Sequence, residues 1–357
     1  GGIIMGTAAW TRVYRPKDLD SYIGNSVVKR KIRNMFKSGR VPQTILLEGD
    51  RGCGKTTLAR IIAKNLSCTN PSKDGLACNE CDICIVLNDE FIATGRAPSG
   101  LPVFEVDITK SNTIDDANKI VDQMHIKPLG NRKKVYILDE IQRASPQAQN
   151  SFLKVTEEPG DFLYVIMCTT NPEDLIEPFK SRFNSLKIRR ASVNEIAERL
   201  EFICRDQNIR YDRQALRLIA SHSNRVPRES INRLSMIALD GEISYSNTIE
   251  ELQLVRLGLF QEYMKLLDGD IFYTLKFIDD LMEEHSVDYG DFLEQFGDFL
   301  LDAFNMKVGI RLDSYTAEEY TETRKIMKDY TVKDVARMLS LVKKALQMKG
   351  NSRFALT

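Results

Sequence analysis

The sequence predicts an α/β domain with a parallel sheet, followed by a small helical domain and an all-helical C-terminal third. Three observations carry that prediction. A phosphate-loop motif, Gly49-Asp50-Arg51-Gly52-Cys53-Gly54-Lys55-Thr56, stands between an apolar run of strand length and a stretch of helical spacing. Apolar strand-like runs then alternate with helical stretches as far as residue 190, the pattern of a sheet covered on both faces. From Ser192 onward helical spacing takes over. The expected domains are therefore 1–190, 191–247 and 248–357.

The bulk properties agree. At 357 residues the chain is too long for one ordinary core. Hydrophobic content of 43% and charged content of 28% are those of a globular protein. Fifty basic residues balance fifty acidic ones, which argues against a uniformly nucleic-acid-binding or membrane-surface protein and leaves room for a local basic face. No apolar stretch reaches the roughly 20 residues that span a bilayer, so a cytoplasmic protein without membrane partners is expected. Gly1 to Gly6 is too short for a signal peptide and lacks its basic flank, and the residues before Met5 are set aside.

Thr44-Ile45-Leu46-Leu47 is the predicted strand before the phosphate loop, and Thr57 to Ala63 continues the helix after it. Gly49, Gly52 and Gly54 let the backbone curl so that successive N–H groups and the helix N-terminus face phosphate oxygens. Asp50, Arg51, Cys53 and Thr57 complete the loop's contact set. Lys55 would neutralise the β- and γ-phosphates, and the Thr56 hydroxyl would ligate Mg²⁺. Four of the seven cysteines come next: Cys68, Cys78, Cys81 and Cys84, spaced C-x₉-C-x₂-C-x₂-C. Two C-x₂-C turns let thiolates converge on one tetrahedral ion, so structural zinc is predicted. Cys53 falls in the loop, while Cys168 and Cys204 read as core.

Pro102 to Asp107 is the next strand, Asn112 to Ile126 a helix with Ile114, Ala117, Ile120, Val121 and Met124 on one side, and Pro128 to Asn131 a turn. Lys134 to Asp139 is an apolar strand that ends in Asp139-Glu140. Such an ending alone is as often a strand end with a solvated turn. Paired with the phosphate loop it reads as a Walker B element, Asp139 holding Mg²⁺ and Glu140 orienting and deprotonating water. Ser145-Pro146 opens a helix. Phe162 to Cys168 is a buried strand leading into Thr169-Thr170-Asn171-Pro172, polar groups where a γ-phosphate sensor would sit. A last strand is expected at Leu186-Lys187-Ile188-Arg189. Ser192-Val193-Asn194-Glu195 is a capping box, with helices near 193–207, 212–222 and 228–240. A polar junction covers Gly241 to Asn247. The remainder, with Leu252, Val255, Leu259, Met264, Leu266 and Leu267, reads as packing helices without a chemical motif.

Taken in order, these motifs resemble the bacterial DNA polymerase III gamma/tau subunits, AAA+ ATPases of the clamp loader. The resemblance covers roughly residues 10–240, and a zinc module inside an AAA+ domain makes it specific. Tyr14-Arg15-Pro16-Lys17 and Tyr22-Ile23-Gly24 match the family's opening segment, which implies that Tyr14, Arg15, Ile23 and Gly24 wrap the adenine of ATP. The resemblance further implies that Lys55, Thr56, Asp139 and Glu140 act within one subunit and that Thr170 or Asn171 senses the γ-phosphate. Arg228 would read nucleotide state in cis from the lid. Arg182, in Ser181-Arg182, would be an arginine finger inserted into a neighbour's site. A guanidinium suits both tasks because it stays charged and forks onto phosphate oxygens.

The implied protein binds ATP, Mg²⁺ and Zn²⁺, opens a sliding clamp and loads it on primer-template DNA. It works with other clamp-loader subunits in a ring or spiral, alongside a DNA polymerase, with its C-terminal third as the collar. Three features depart from the family pattern: Phe183 in place of the cysteine of Ser-Arg-Cys, Arg225-Val226-Pro227 before Arg228, and a long stretch Asp89 to Leu101 expected to be a surface loop. Thr109-Lys110-Ser111-Asn112 at a helix N-terminus could contact DNA phosphate or be an ordinary helix start. Lys29-Arg30-Lys31-Arg33 and Arg132-Lys133-Lys134 read as solvated faces. The rivals are a non-hydrolysing structural subunit, against which Gly54-Lys55-Thr56 and Asp139-Glu140 speak, and a DNA motor such as a branch-migration helicase, against which the cysteine module speaks.

Overall fold

The computed structural model describes residues 7–347, apart from 97, 112, 131, 253, 256, 268, 286–287, 311–314 and 316. The opening residues 1–6, Asn112 and Asn131 therefore lie outside the described residues. The chain divides into two compact units, Gly1–Gln207 with Ser223–Ser235, and Asn208–His222 with Met236–Thr357.

The first unit opens with α1 (Thr7–Val13) and α2 (Ser26–Lys37), then β1 (Thr44–Glu48) and α3 (Lys55–Ser67). After Cys68, Cys78 and Cys81, α4 (Asp82–Val86), which carries Cys84, runs through a π-turn (Leu87–Phe91) into α5 (Ile92–Thr94). There follow β2 (Val103–Asp107), α6 (Ile114–His125), β3 (Lys134–Asp139), α7 (Pro146–Glu157), β4 (Leu163–Thr169), α8 (Glu177–Arg182), β5 (Asn184–Lys187) and α9 (Val193–Asp206). The five strands form one parallel sheet in the order β2-β3-β4-β1-β5.

Side-chain alternation along each strand explains why helices cover both faces. Ile45, Leu47, Val135, Ile137, Ile166 and Cys168 face one way, against Leu58, Ile61 and Ile62 of α3 and Ile32 and Phe36 of α2. Leu46, Tyr136, Leu138, Val165 and Met167 face the other, against Ala117 and Met124 of α6, Ala148 and Phe152 of α7, and Phe179 of α8. Each such buried aliphatic or aromatic side chain contributes about 1.5–3 kcal/mol. Helix α7 starts where predicted, with Ser145 accepting from the Ala148 N–H and Pro146 in the first turn. The predicted capping box at Ser192 and Glu195 opens α9.

Several expectations need correction. Strand β5 spans 184–187, two residues earlier than expected, because an edge strand needs only Leu186 on its buried side. Helix α6 begins after Thr113, whose side chain accepts from the Asp116 N–H, and Ile114 is exposed. Thr109 and Lys110 lie instead in a 3₁₀ turn capped by Asp107, so they do not stand at that helix's N-terminus. The stretch from Asp89 is helical to Thr94, with Phe91 and Ile92 fully buried, and the loop starts only at Gly95. Lys134 is buried, its Nζ donating to the Gln123 carbonyl and, at 2.8 Å, to Ile126 O; a lysine that caps the end of α6 is no solvated face.

A further correction falls in the second unit. This unit contains β6 (Arg210–Tyr211) and α10 (Arg213–His222), after which Ser223–Ser235, with most of α11 (Pro227–Ile237), belongs to the first unit. The expected junction at 241–247 holds β7 (Glu242–Ile243), paired in parallel with β6, and the start of α12 (Tyr245–Glu251). Then come α13 (Leu257–Leu266), α14 (Ile271–His285), α15 (Tyr289–Lys307), α16 (Ala317–Ile326) and α17 (Val332–Gln347). In α15, Phe292, Phe296, Phe299, Leu300 and Ala303 recur at three- and four-residue spacing and build a core with Phe260, Tyr263 and Met264 of α13.

Candidate functional site

The carboxyl ends of β1, β4 and β3 are neighbours in the sheet, so the loops leaving them converge where ligands of open parallel sheets bind. Off β1, the phosphate loop needs its glycines. Gly54 has φ 100°, and a Cβ there would lie 2.8 Å from the Tyr22 hydroxyl; at Gly52, φ 77°, it would lie 2.7 Å from Val226 Cγ1. Lys55, only 6% exposed, donates from Nζ to the carbonyls of Gly49 (2.7 Å) and Asp50 (2.9 Å). An ammonium has three donors, so one remains for a phosphate oxygen.

Thr56 Oγ1 donates to Asp139 Oδ2 at 2.8 Å, which brings the two predicted Mg²⁺ ligands together. Burial holds the Asp139 carboxyl above its ordinary pKa; the Thr56 bond opposes that rise, and nearby Glu105 and Glu140 add to it. A divalent cation would reverse the balance.

Glu140, with φ 54° and ψ 42°, occupies the left-handed region. That costs a non-glycine residue about 1–2 kcal/mol and re-aims the side chain off the strand end. Its carboxylate accepts from Gln142 Nε2 and, at 3.4 Å, from Thr170 Oγ1; Gln142 Nε2 also donates to Thr170 Oγ1 at 2.8 Å. Strand ends β3 and β4 thus share one small network around Glu140.

Two cavities meet here. The larger, about 910 Å³, is lined by Tyr14, Arg15, Ile23, Arg51, Gly52, Cys53, Gly54, Lys55, Thr56, Thr57, Glu140 and Arg228 among others. The smaller, about 640 Å³, is lined by Asp50, Arg51, Asp139, Glu140, Thr170, Asn171 and Arg190 among others. Most predicted site residues are therefore assembled around one space. Gly24 and Gly49 are not among the lining residues of either cavity, and neither is Arg182, which is half-exposed and ion-paired with Glu157. Tyr14 lines the larger cavity, and its hydroxyl donates to Asp206 Oδ2 at 2.5 Å; burial, with that carboxylate, raises its pKa to about 12.

The family model described as "DNA polymerase III, delta subunit" matches residues 24–192. The gamma subunit of DNA polymerase III from Buchnera aphidicola subsp. Schizaphis graminum is 31% identical over 68% of this chain and 64% of its own length. The gamma/tau subunit of Mycoplasma genitalium is 29% identical over 79% of this chain and 46% of its own, and the Escherichia coli tau subunit 28% over 67% and 36%. The chain belongs among the homologues of the DNA polymerase III gamma/tau subunits. It spans about a third to two thirds of the length of these relatives. Among solved structures, the Thermotoga maritima RuvB Holliday junction branch migration motor superposes with a TM-score of 0.50 at 18% identity, over 87% of this chain and 90% of that one. At that identity the likeness concerns the fold alone.

In this gamma/tau homologue the four clustered cysteines fit a metal. The Sγ atoms of Cys68, Cys78, Cys81 and Cys84 all lie within 4.8 Å of one another, with Cys68 and Cys78 3.6 Å apart and Cys78 and Cys84 4.0 Å apart. Thiolates about 2.3 Å from a tetrahedral Zn²⁺ stand roughly 3.8 Å from each other. Backbone N–H groups of Cys78 and Cys81 already donate to Cys68 and Cys78 sulfurs, as thiolate acceptors require. Phe183, the departure from Ser-Arg-Cys, is buried and packs on Phe179 with ring centroids 5.1 Å apart.

Sequence reasoning missed two residues of interest, Gln142 in the Glu140 network and Arg190 on the cavity walls. Gln142 has no signature of its own; being two residues beyond a Walker B glutamate is the only hint. Arg190 lines both cavities, yet in sequence it is one of two arginines after a strand.

Proposed function

We propose that this protein is the ATPase subunit of a replication clamp loader, which uses ATP binding and hydrolysis to open a sliding clamp and load it on primer-template DNA. The observation that carries the proposal is the Thr56–Asp139 hydrogen bond beside the Glu140–Gln142–Thr170 network, facing a cavity entered by Lys55 and Arg228. A structural subunit has no use for that assembly. The homology to gamma/tau subunits supplies the clamp, the DNA and the partner subunits, with a DNA polymerase as a further partner and a cytoplasmic setting.

In this reading ATP supplies the γ-phosphoryl group and Mg²⁺ neutralises its charge. Lys55 binds the phosphates with its spare donor, Thr56 and Asp139 hold the metal, and Glu140 orients water and takes its proton. Thr170 positions Glu140 as well as sensing the γ-phosphate with Asn171. Tyr14, Arg15 and Ile23 surround the adenine, Arg228 reads the nucleotide in cis, and Arg182 acts on a neighbour. Cys68, Cys78, Cys81 and Cys84 hold Zn²⁺ as a structural ion. We retain the three-part organisation, 1–190, 191–247 and 248–357, for nucleotide binding, lid and collar.

Steady-state ATP hydrolysis by the assembled complex tests this, with and without primed DNA and a sliding clamp. The loader reading expects strong stimulation by both ligands together, abolished in Lys55→Ala. Stimulation by DNA alone would instead indicate a motor, and no hydrolysis a structural subunit.

A further inference from the structure

Arg190 stands between the phosphate loop and the turn that carries Arg228. Its Nη1 donates to the Asn224 carbonyl at 2.9 Å. Its Nε, shielded from solvent, lies 3.2 Å from Asp50 Oδ2 and makes no hydrogen bond there. A guanidinium has five donors in a planar fork, so Arg190 holds donors in reserve where two cavities meet. The Asn224 turn is itself tightly formed: Asn224 and Arg225 have φ 50° and 56°, and Val226 presses on the phosphate loop at Gly52. The same cavity receives Arg51, Lys55 and Arg228, a concentration of cations that suits a polyphosphate.

We propose that Arg190 is a phosphate-responsive clasp, which keeps the turn carrying Arg228 against the phosphate loop and exchanges Asp50 for nucleotide phosphate oxygens when the cavity fills. The proposal rests on the nucleotide-binding reading above. Asp50 is a weak competitor: it is 69% exposed, and exposed ion pairs contribute little. A phosphate oxygen inside the cavity carries more charge and meets better-aligned donors. The carbonyl bond to Asn224 survives the exchange, so the turn and Arg228 stay docked while the guanidinium swings its free edge inward.

The test is nucleotide affinity of the purified full chain, by displacement of a fluorescent ATP analogue with ATP, ADP and adenosine. Arg190→Ala is expected to weaken ATP by about tenfold or more, the loss expected for a charge-assisted hydrogen bond, and to weaken adenosine far less. Arg190→Lys should recover part of the loss. Asp50→Asn removes the competing carboxylate and should tighten ATP several-fold, an effect that disappears in the Arg190→Ala background. Equal loss for ATP and adenosine, or an Asp50→Asn effect independent of Arg190, would overturn the clasp. If Arg190→Ala fails to fold, Arg190→Gln serves as the background for the same comparison, with the same two outcomes. Failure of the wild type to bind ATP sinks the nucleotide reading itself; ATP binding without clamp-stimulated hydrolysis sinks only the loader reading and leaves the clasp test intact.

Discussion

Glu140 has the clearest physical signature of a working residue, because a left-handed carboxylate next to a buried aspartate is costly in both backbone strain and charge. Its geometry separates chemistry from binding. Glu140→Gln keeps shape and removes the base proposed above, so single-turnover hydrolysis should fall about 10²–10⁴-fold while ATP affinity stays within about threefold. Gln142→Ala leaves the base in place but frees it, and should lower kcat about 10- to 100-fold with KM little changed. Equal losses in kcat and ATP affinity would assign Glu140 to nucleotide binding instead. The phosphate loop and Asp139-Glu140 were legible in sequence because their chemistry demands fixed neighbours along the chain. Gln142 and Arg190 were not, since each matters through a meeting of separate strand ends or loops that no local spacing encodes.

Among the elements, the cysteine module has a mechanical role that its spacing alone does not reveal. Lys64 of α3, fully buried, donates to Lys17 O (2.5 Å), to Asn88 Oδ1 (2.8 Å) and to Asn79 Oδ1, so one ammonium joins the opening segment, the cysteine loop and the helix after it. Chelation should release one Zn²⁺ per chain and speed amide exchange across residues 68–94 and near Lys17, with the amides of β1, β3 and β4 still protected. Unchanged exchange after metal loss would mean the fold needs no ion there. In the second unit, burial raises the Asp302 carboxyl to about 6, against a hydrogen bond from Tyr315 and with added repulsion from Asp298. A carboxyl whose folded pKa is raised stabilises the fold below its unfolded value and loses that contribution as pH rises through about 6. Asp302→Asn should therefore gain on the wild type by about 1–2 kcal/mol between pH 4 and pH 8, a range that allows for partial exposure. A parallel pair of stability curves would rule this out. The sheet was readable because its central strands are continuous apolar runs; β5, β6 and β7 were misplaced or missed because edge strands and two-residue pairings need little apolar sequence.

For the whole molecule, the decisive question is whether one chain completes its own catalytic site. Around Glu140 the chain supplies Arg51, Arg143 and Arg190, and Arg182 is not among the residues lining that space. Arg182 lies instead at the end of α8, half-exposed and paired with Glu157. An exposed pair of this kind is worth at most about 1 kcal/mol, so the fold does not depend on it. An arginine that stabilises transition-state charge from another subunit contributes about 10³–10⁵ in rate, a range drawn from arginine fingers in general. Arg182→Ala should thus leave the thermal midpoint and the ATP affinity of the isolated chain unchanged. In the assembled complex, with clamp and primed DNA, its hydrolysis should collapse by at least about 10²-fold. Assemblies mixed from Arg182→Ala and Lys55→Ala subunits should recover part of the activity, because a Lys55→Ala neighbour can still lend its Arg182 to an intact site. If Arg182→Ala lowers ATP affinity in the isolated chain, or leaves assembled hydrolysis unchanged, action on a neighbouring site is excluded.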